Sequence, residues 1–252
     1  MAVAEVVRKA EMSEAEWDTR VNLAMLYRVI ARLRMTDLVF THLSARIPGE
    51  ENTFLINNYG EMFEEVTASS LTKMDMDGNV IGDGDFNFAG YCIHSGIYIA
   101  RPDVMCVSHL HTKASVAVSA QECGLLPLSQ HSLVPLLTMA YHDYEGPAND
   151  LAERESLGRD IGDKYCLMLR NHGLLCAGRT IPECFHFTYY FDTACQIQID
   201  AMAAGSVKQI PADVVASSHK QYQAGFDRGE MGVRAWEGLR RQLERDGANY
   251  AI

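Results

Sequence analysis

VMCVSHLHTKAS, residues 104–115, runs from an apolar stretch into two histidines separated by one leucine. Val104 to His109 reads as a short buried strand. Side chains at i and i+2 of a strand share a face, so His109 and His111 present two imidazoles at a spacing that chelates one cation. Neutral imidazole is a ligand for zinc, iron, manganese, cobalt and nickel. A capping histidine beside a core histidine would give the same pair, so the motif alone does not decide. His172 adds a third candidate. It lies in LRNHGLL (169–175), where the next apolar strand, Tyr165 to Leu169, ends in a turn. Strand ends beside glycine turns are where α/β folds carry functional groups. Three protein ligands leave a position open for substrate or water, as catalytic metal sites do. His94, on the preceding helix, is a candidate fourth ligand or a partner to the ligands.

Working outward, AGYCIHSGIYIARPD (89–103) predicts a helix stopped near Pro102. THLSARIPG (41–49) and NTFLINNYG (52–60) predict paired strands, and MDMDGNVI (74–81) a polar hairpin turning at Asp77-Gly78. Ser13-Glu14-Ala15-Glu16 is a capping box. It opens a helix with Trp17, Val21, Ala24, Leu26, Tyr27 and Ile30 at helical spacing. Downstream, residues 112–122, 149–163 and 232–247 read as helices, and residues 131–142 hold a candidate strand. LLCAG (174–178) is a further strand, and Ile181 to about Ala203 is a long helix with Pro182 suited to its first turn. Helices and strands alternate while strands also pair locally, which predicts a layered α/β fold with mixed strand directions. No repeat or Gly/Ser/Pro-rich linker divides the chain. We expect a single domain over residues 1–252, with 1–12 a flexible tail.

The net charge of −11 disfavours nucleic acid and anionic membranes as partners, because phosphate binding needs clustered Lys and Arg. Seven cysteines form no CxxC pair, are odd in number and sit mostly in apolar company, a reduced pattern. The first residues, MAVAEVVRKAEMSEAEW, carry charges where a secretory leader needs an apolar core. No apolar run approaches the ~18 residues of a membrane span. These features predict a cytoplasmic protein.

THLSAR (41–46), FLINNYG (54–60), TASSL (67–71), IHSGIYIARPD (93–103), VSHLHT (107–112), AYHDYEG (140–146) and LRNHGLLCAGRT (169–180) occur in that order. In this the chain resembles the class II aldolase/adducin family over roughly residues 15 to 230. The resemblance implies a three-layer α/β/α domain around a central, mostly antiparallel sheet. It implies a metal-dependent lyase acting on small carbonyl compounds, often a homo-oligomer (a tetramer) with active sites at subunit contacts. The family's HxH and NHG histidines are zinc ligands, and they match His109, His111 and His172. The implied cofactor is therefore a divalent metal, Zn2+ first, with Fe2+ or Mn2+ as alternatives. The implied partner is a small-molecule substrate, with no nucleic acid and no membrane.

Departures from the sugar-phosphate aldolases are equally informative. Their acid/base glutamate, four residues before the helix histidine, is Gly90 here, and the two serines ahead of it are Phe88 and Ala89. Their Gly-Asn pair reads Thr41-His42, and a phosphate-turn serine is Tyr59. The chain thus resembles the adducin-like branch. With Gly90 in place of a glutamate, proton transfer falls to another group. His94 is the first catalytic candidate and Tyr59 the second, with Glu65 and His131 behind them. Arg46, whose planar fork suits a carboxylate, and Ser44, Gly60 and His131 are substrate-binding candidates. Asn171 is read as holding the turn at His172. The expected function is a C–C lyase of retro-aldol or decarboxylation type on a small, non-phosphorylated carbonyl compound or keto or hydroxy acid. The alternatives are a non-haem-iron oxygenase on an aromatic keto acid, and a non-catalytic adducin-like binding module.

Overall fold

Ser13 starts the first helix, α1 (Glu14–Arg32), with its side chain accepting the Glu16 amide at 3.1 Å. Only half of the capping box forms. Instead of returning to the cap, the buried Glu16 carboxylate binds Arg20 at 2.9 Å and Lys73 at 2.8 Å. Burial alone would raise its pKa, but the two cations outweigh it and hold the carboxyl below its usual range. Arg20 also donates to the carbonyls of Ala68 and Leu71, tying α1 to a distant loop. This computed structural model describes residues 12–146 and 150–252. The expected N-terminal tail therefore lies almost wholly outside the described residues.

The strands are β1 (His42–Arg46), β2 (Thr53–Ile56), β3 (Thr72–Asp75), β4 (Cys106–Leu110), β5 (Met139–His142), β6 (Cys166–Leu169) and β7 (Gly173–Gly178). They form one sheet in the order β3-β2-β1-β4-β7-β6-β5. Every pairing is antiparallel except β5 with β6. This is the mostly antiparallel sheet that the family resemblance implies. The central strands β4, β6 and β7 are buried along their whole length, which explains their continuous apolar runs. The polar hairpin after β3 closes at Gly78, with the Asp75 carboxylate collecting the amides of Asp77 and Asn79 at 2.9 Å each.

The remaining helices are α2 (Phe88–Ala100), α3 (Lys113–Ser119), α4 (Leu133–Leu136), α5 (Leu151–Ile161), α6 (Ile181–Ala203), α7 (Ala212–Asp227) and α8 (Val233–Arg245). His42 and His109 are directly opposed in the β1–β4 register, so their side chains share a face. That face is covered by α2, which reaches Ser44 through His94, and α5 packs on α2. The other face carries Ser108, whose hydroxyl meets Thr188 of α6 at 2.5 Å. Helices thus lie on both sides of the sheet in three layers. The sequence does not announce α7: none of its residues is fully buried, and only Tyr222 and Phe226 near its end lie against the core. No helix among the described residues is long and apolar enough to cross a membrane.

Candidate metal centre

β4 delivers His109, and His111 follows one residue beyond its end. The next residue, Thr112, turns the chain into α3 by capping the Ser115 amide at 3.2 Å. Leu110 pairs with Leu174 across the β4–β7 ladder, so the β6–β7 turn stands beside the end of β4. Asn171 holds that turn with φ of 57°, a left-handed conformation that asparagine tolerates. At Gly173 a Cβ would come within 2.4 Å of the Leu110 carbonyl, so only glycine lets the strands close. His172 lies between these two residues and is directed at the HxH pair.

The Nε2 atom of His111 lies 2.9 Å from Nε2 of both His109 and His172. Each of the two strand-end histidines uses its other nitrogen on protein. His109 Nδ1 faces the Leu174 carbonyl at 3.0 Å, and His111 Nδ1 faces the Asp37 carboxylate at 3.1 Å. Both partners are acceptors, so the ring protons belong on Nδ1 and the Nε2 lone pairs converge. Burial, then His172 and His111, pushes the His109 pKa well below its usual value. Burial, then His111 and His142, lowers that of His172 to about 4. Neutral rings with converging lone pairs repel one another, and a cation between them removes the conflict. The donor set is nitrogen only, as in three-histidine metal sites, with oriented outer partners of the expected kind. The residues present therefore fit a divalent ion. Tyr144 flanks the cluster with its ring 6.1 Å from that of His172.

Asp37 is brought in by a loop in which Arg34, Leu38 and Thr41 take φ of 58°, 52° and 69°. Left-handed backbone at non-glycine residues costs energy and persists where the surroundings demand it.

A second layer lies behind the cluster. His42, its ring 5.2 Å from that of His109, contacts His94 Nε2 through Nδ1 at 2.8 Å. His94 Nδ1 meets the Ser44 hydroxyl, which in turn meets the Tyr98 hydroxyl at 2.7 Å. All four side chains are buried. His94, expected as a catalytic group or fourth ligand, thus has both ring nitrogens on protein partners and reaches the cluster only through His42. Gly90 explains how His42 fits: a Cβ there would lie 2.8 Å from the imidazole Cδ2.

The other expected site residues are dispersed. Arg46 follows His42 by about 13 Å along β1, donates to the Tyr98 carbonyl at 2.7 Å and lies over the Tyr98 ring. Tyr59 and Gly60 occupy a turn after β2, where Tyr59 is exposed and its amide donates to Asp85 at 3.3 Å. The ring of His131 lies 5.5 Å from that of Tyr190 of α6, tilted against it. The contacts of Tyr59, Gly60, Arg46 and His131 do not reach the three histidines. Conversely, Asp37, His42 and Tyr98 escaped the sequence reading. Asp37 is 74 residues from His111, and no local pattern links them. His42 was legible only as the cross-strand partner of His109.

Comparison with known proteins agrees with this architecture. A profile of the class II aldolase and adducin N-terminal domain matches residues 21–199. A protein of Caulobacter vibrioides, assigned provisionally as an aldolase class 2 protein, is 48% identical over 96% of this chain and 95% of its own length. Alpha-adducin of Rattus norvegicus is 36% identical over 89% of this chain, which corresponds to 33% of the adducin. The crystal structure of an aldolase II superfamily protein from Pseudomonas syringae superposes with a TM-score of 0.90, at 45% identity, covering 97% of this chain and 99% of that one. L-fuculose 1-phosphate aldolase from Glaciozyma antarctica follows with a TM-score of 0.81, at 27% identity, covering 94% and 92%. With its three-layer fold and the histidines of its HxH and NHG motifs brought together, the chain belongs to the class II aldolase/adducin family.

Proposed function

We propose that the protein is a metal-dependent C–C lyase acting on a small, non-phosphorylated carbonyl compound or keto or hydroxy acid. The observation that carries this reading is the convergence of three Nε2 atoms, with Nδ1 of His109 and His111 engaged by Leu174 and Asp37. His109, His111 and His172 would hold the ion, Zn2+ first, with Fe2+ and Mn2+ also suited to imidazole. When bound, such an ion supplies a Lewis acid that lowers the cost of negative charge on a carbonyl oxygen, as retro-aldol cleavage and decarboxylation both require.

The protein's part is to hold the three rings neutral, orient them from behind and keep the inner wall dry through buried His42 and His94. The replacement of most phosphate-loop groups of the sugar-phosphate aldolases supports a non-phosphorylated substrate. Thr41 and His42 stand at the head of β1, and Phe88 and Ala89 open α2, where an anion site would need small residues and many donors. Tyr59 remains in the proposal as a proton donor, with Gly60, Arg46 and His131 as substrate-side groups, while Ser44, buried between His94 and Tyr98, acts on the site through His94. Each is to be tested by single substitution. The exposed Leu38 and Phe40, on the loop that holds Asp37, support a subunit contact beside the site. The proposal includes a homotetramer in the cytoplasm.

The test is turnover of a panel of keto and hydroxy acids by zinc-, manganese- and iron-loaded protein, with and without oxygen. Anaerobic cleavage that disappears in His172→Ala supports the lyase. Strict dependence on oxygen would replace it with the oxygenase, and no turnover with any metal would leave the binding-module reading.

A further inference from the structure

The buried chain Tyr98–Ser44–His94–His42 has only one consistent direction. The Tyr98 hydroxyl is fully buried and its one partner among the described residues is Ser44 Oγ, at 2.7 Å. A buried O–H left without an acceptor is costly, so Tyr98 donates to Ser44. Ser44 has one proton, and its remaining partner is His94 Nδ1, so Ser44 donates there. His94, now accepting at Nδ1, carries its proton on Nε2 and donates it to His42 Nδ1 across 2.8 Å. Neither imidazole has a carboxylate among these partners, and both are buried, so each is neutral with a single ring proton. The proton of His42 is thereby fixed on Nε2. That N–H finds no hydrogen-bond partner among the described residues, while its ring stands beside His109 and packs directly against Gly90, where a Cβ would lie 3.1 Å from Nε2.

We infer that His42 presents its Nε2–H to the substrate, donating a hydrogen bond to the carbonyl oxygen on which negative charge develops. This deepens the lyase reading and rests on it. A donor fixed in advance and aimed at developing charge needs no reorganisation during reaction. His94, Ser44 and Tyr98 are positioning residues, which set the tautomer of His42 without touching substrate. Gly90 is the condition for this arrangement, since any side chain there would displace the ring. A glutamate at position 90 and the imidazole of His42 exclude each other sterically, so the two departures noted in the sequence belong together.

The test uses the full chain loaded with cobalt(II), titrated with acetohydroxamate as a two-oxygen mimic of an acid carbonyl and followed by the visible spectrum. A parallel zinc-loaded sample is examined by nitrogen-15 NMR of the imidazoles. The expected result is that His42→Phe binds cobalt like the wild type but binds acetohydroxamate about ten- to a hundredfold more weakly, as for a lost hydrogen bond to a charged acceptor. His42→Gln, which restores an N–H, recovers part of the loss. Tyr98→Phe, remote from the ligand, leaves the chain of donors without its fixed end, so the His42 resonances no longer report a pure Nε2–H tautomer. Unchanged acetohydroxamate affinity in a folded, cobalt-loaded His42→Phe overturns the inference while the metal site stands. So does a wild-type His42 protonated on Nδ1. Failure of the wild type to bind cobalt overturns both.

Discussion

Asp37 is the residue through which a strained loop acts on the candidate metal centre. Its carboxylate, 3.1 Å from His111 Nδ1, fixes both the orientation and the tautomer of that candidate ligand. Outer partners of this kind typically contribute about 10–100-fold in metal affinity. Asp37→Ala should therefore weaken zinc binding by about that factor in a chelator competition while the melting temperature of the metal-free protein changes little. His94 carries a different signature, in pH. Burial depresses its pKa to about 3 from an ordinary 6.5. The unfolded chain takes up this proton first as the pH falls. The stability contributed by keeping His94 neutral is thus complete above pH 6.5 and is lost progressively between 6.5 and 3. The slope approaches about 1.4 kcal/mol per pH unit for one group. Chelator-treated protein should melt at a lower temperature at pH 5 than at pH 7, and His94→Gln should flatten that difference.

At the scale of elements, helix boundaries and strand pairs were legible where one local rule acted alone. Ser13 caps α1, Thr112 caps α3 and Thr180 caps α6, each from a side chain next to the helix it starts. Long-range partners were not legible. Glu16, expected to close a capping box, is drawn instead to Lys73, 57 residues away. α7 was missed because it buries no residue fully and packs mainly through Tyr222 and Phe226 near its end. Close packing of α2 on α5 was equally hidden, since it depends on two glycines from different helices. A Cβ at Gly96 would meet the Arg154 carbonyl at 2.7 Å, and one at Gly158 would meet the Ala100 Cβ at 2.8 Å. Gly96→Ala gains about 1 kcal/mol of helix propensity but forces the helices apart, at an overpacking cost of about 1–3 kcal/mol. Denaturant unfolding should show net destabilisation, and the loss should be larger for Gly96→Val.

For the whole molecule, the order of strands explains why the site lies where it does. Placing β4 between β1 and β7 brings His109, His42 and the β6–β7 turn to one sheet end. The three clustered histidines were readable as candidate ligands from their motifs, HxH and NHG, because each sits at or just beyond the end of an apolar strand. The layer behind them was not, because it is assembled from β1 and α2, 50 and 52 residues apart. The same view predicts assembly. Light scattering on the eluting protein should give the mass of four chains, and a Leu38→Glu/Phe40→Glu pair should lower it. A monomeric wild type would remove the subunit contact from the account.

Whether the three histidines bind an ion is decided by metal content, read by elemental mass spectrometry on protein purified without a polyhistidine tag or chelator, beside the His109→Ala variant. We expect one divalent ion per chain in the wild type, zinc first, and its loss in the variant. No bound metal in either protein after reconstitution, or equal metal in both, would contradict this expectation.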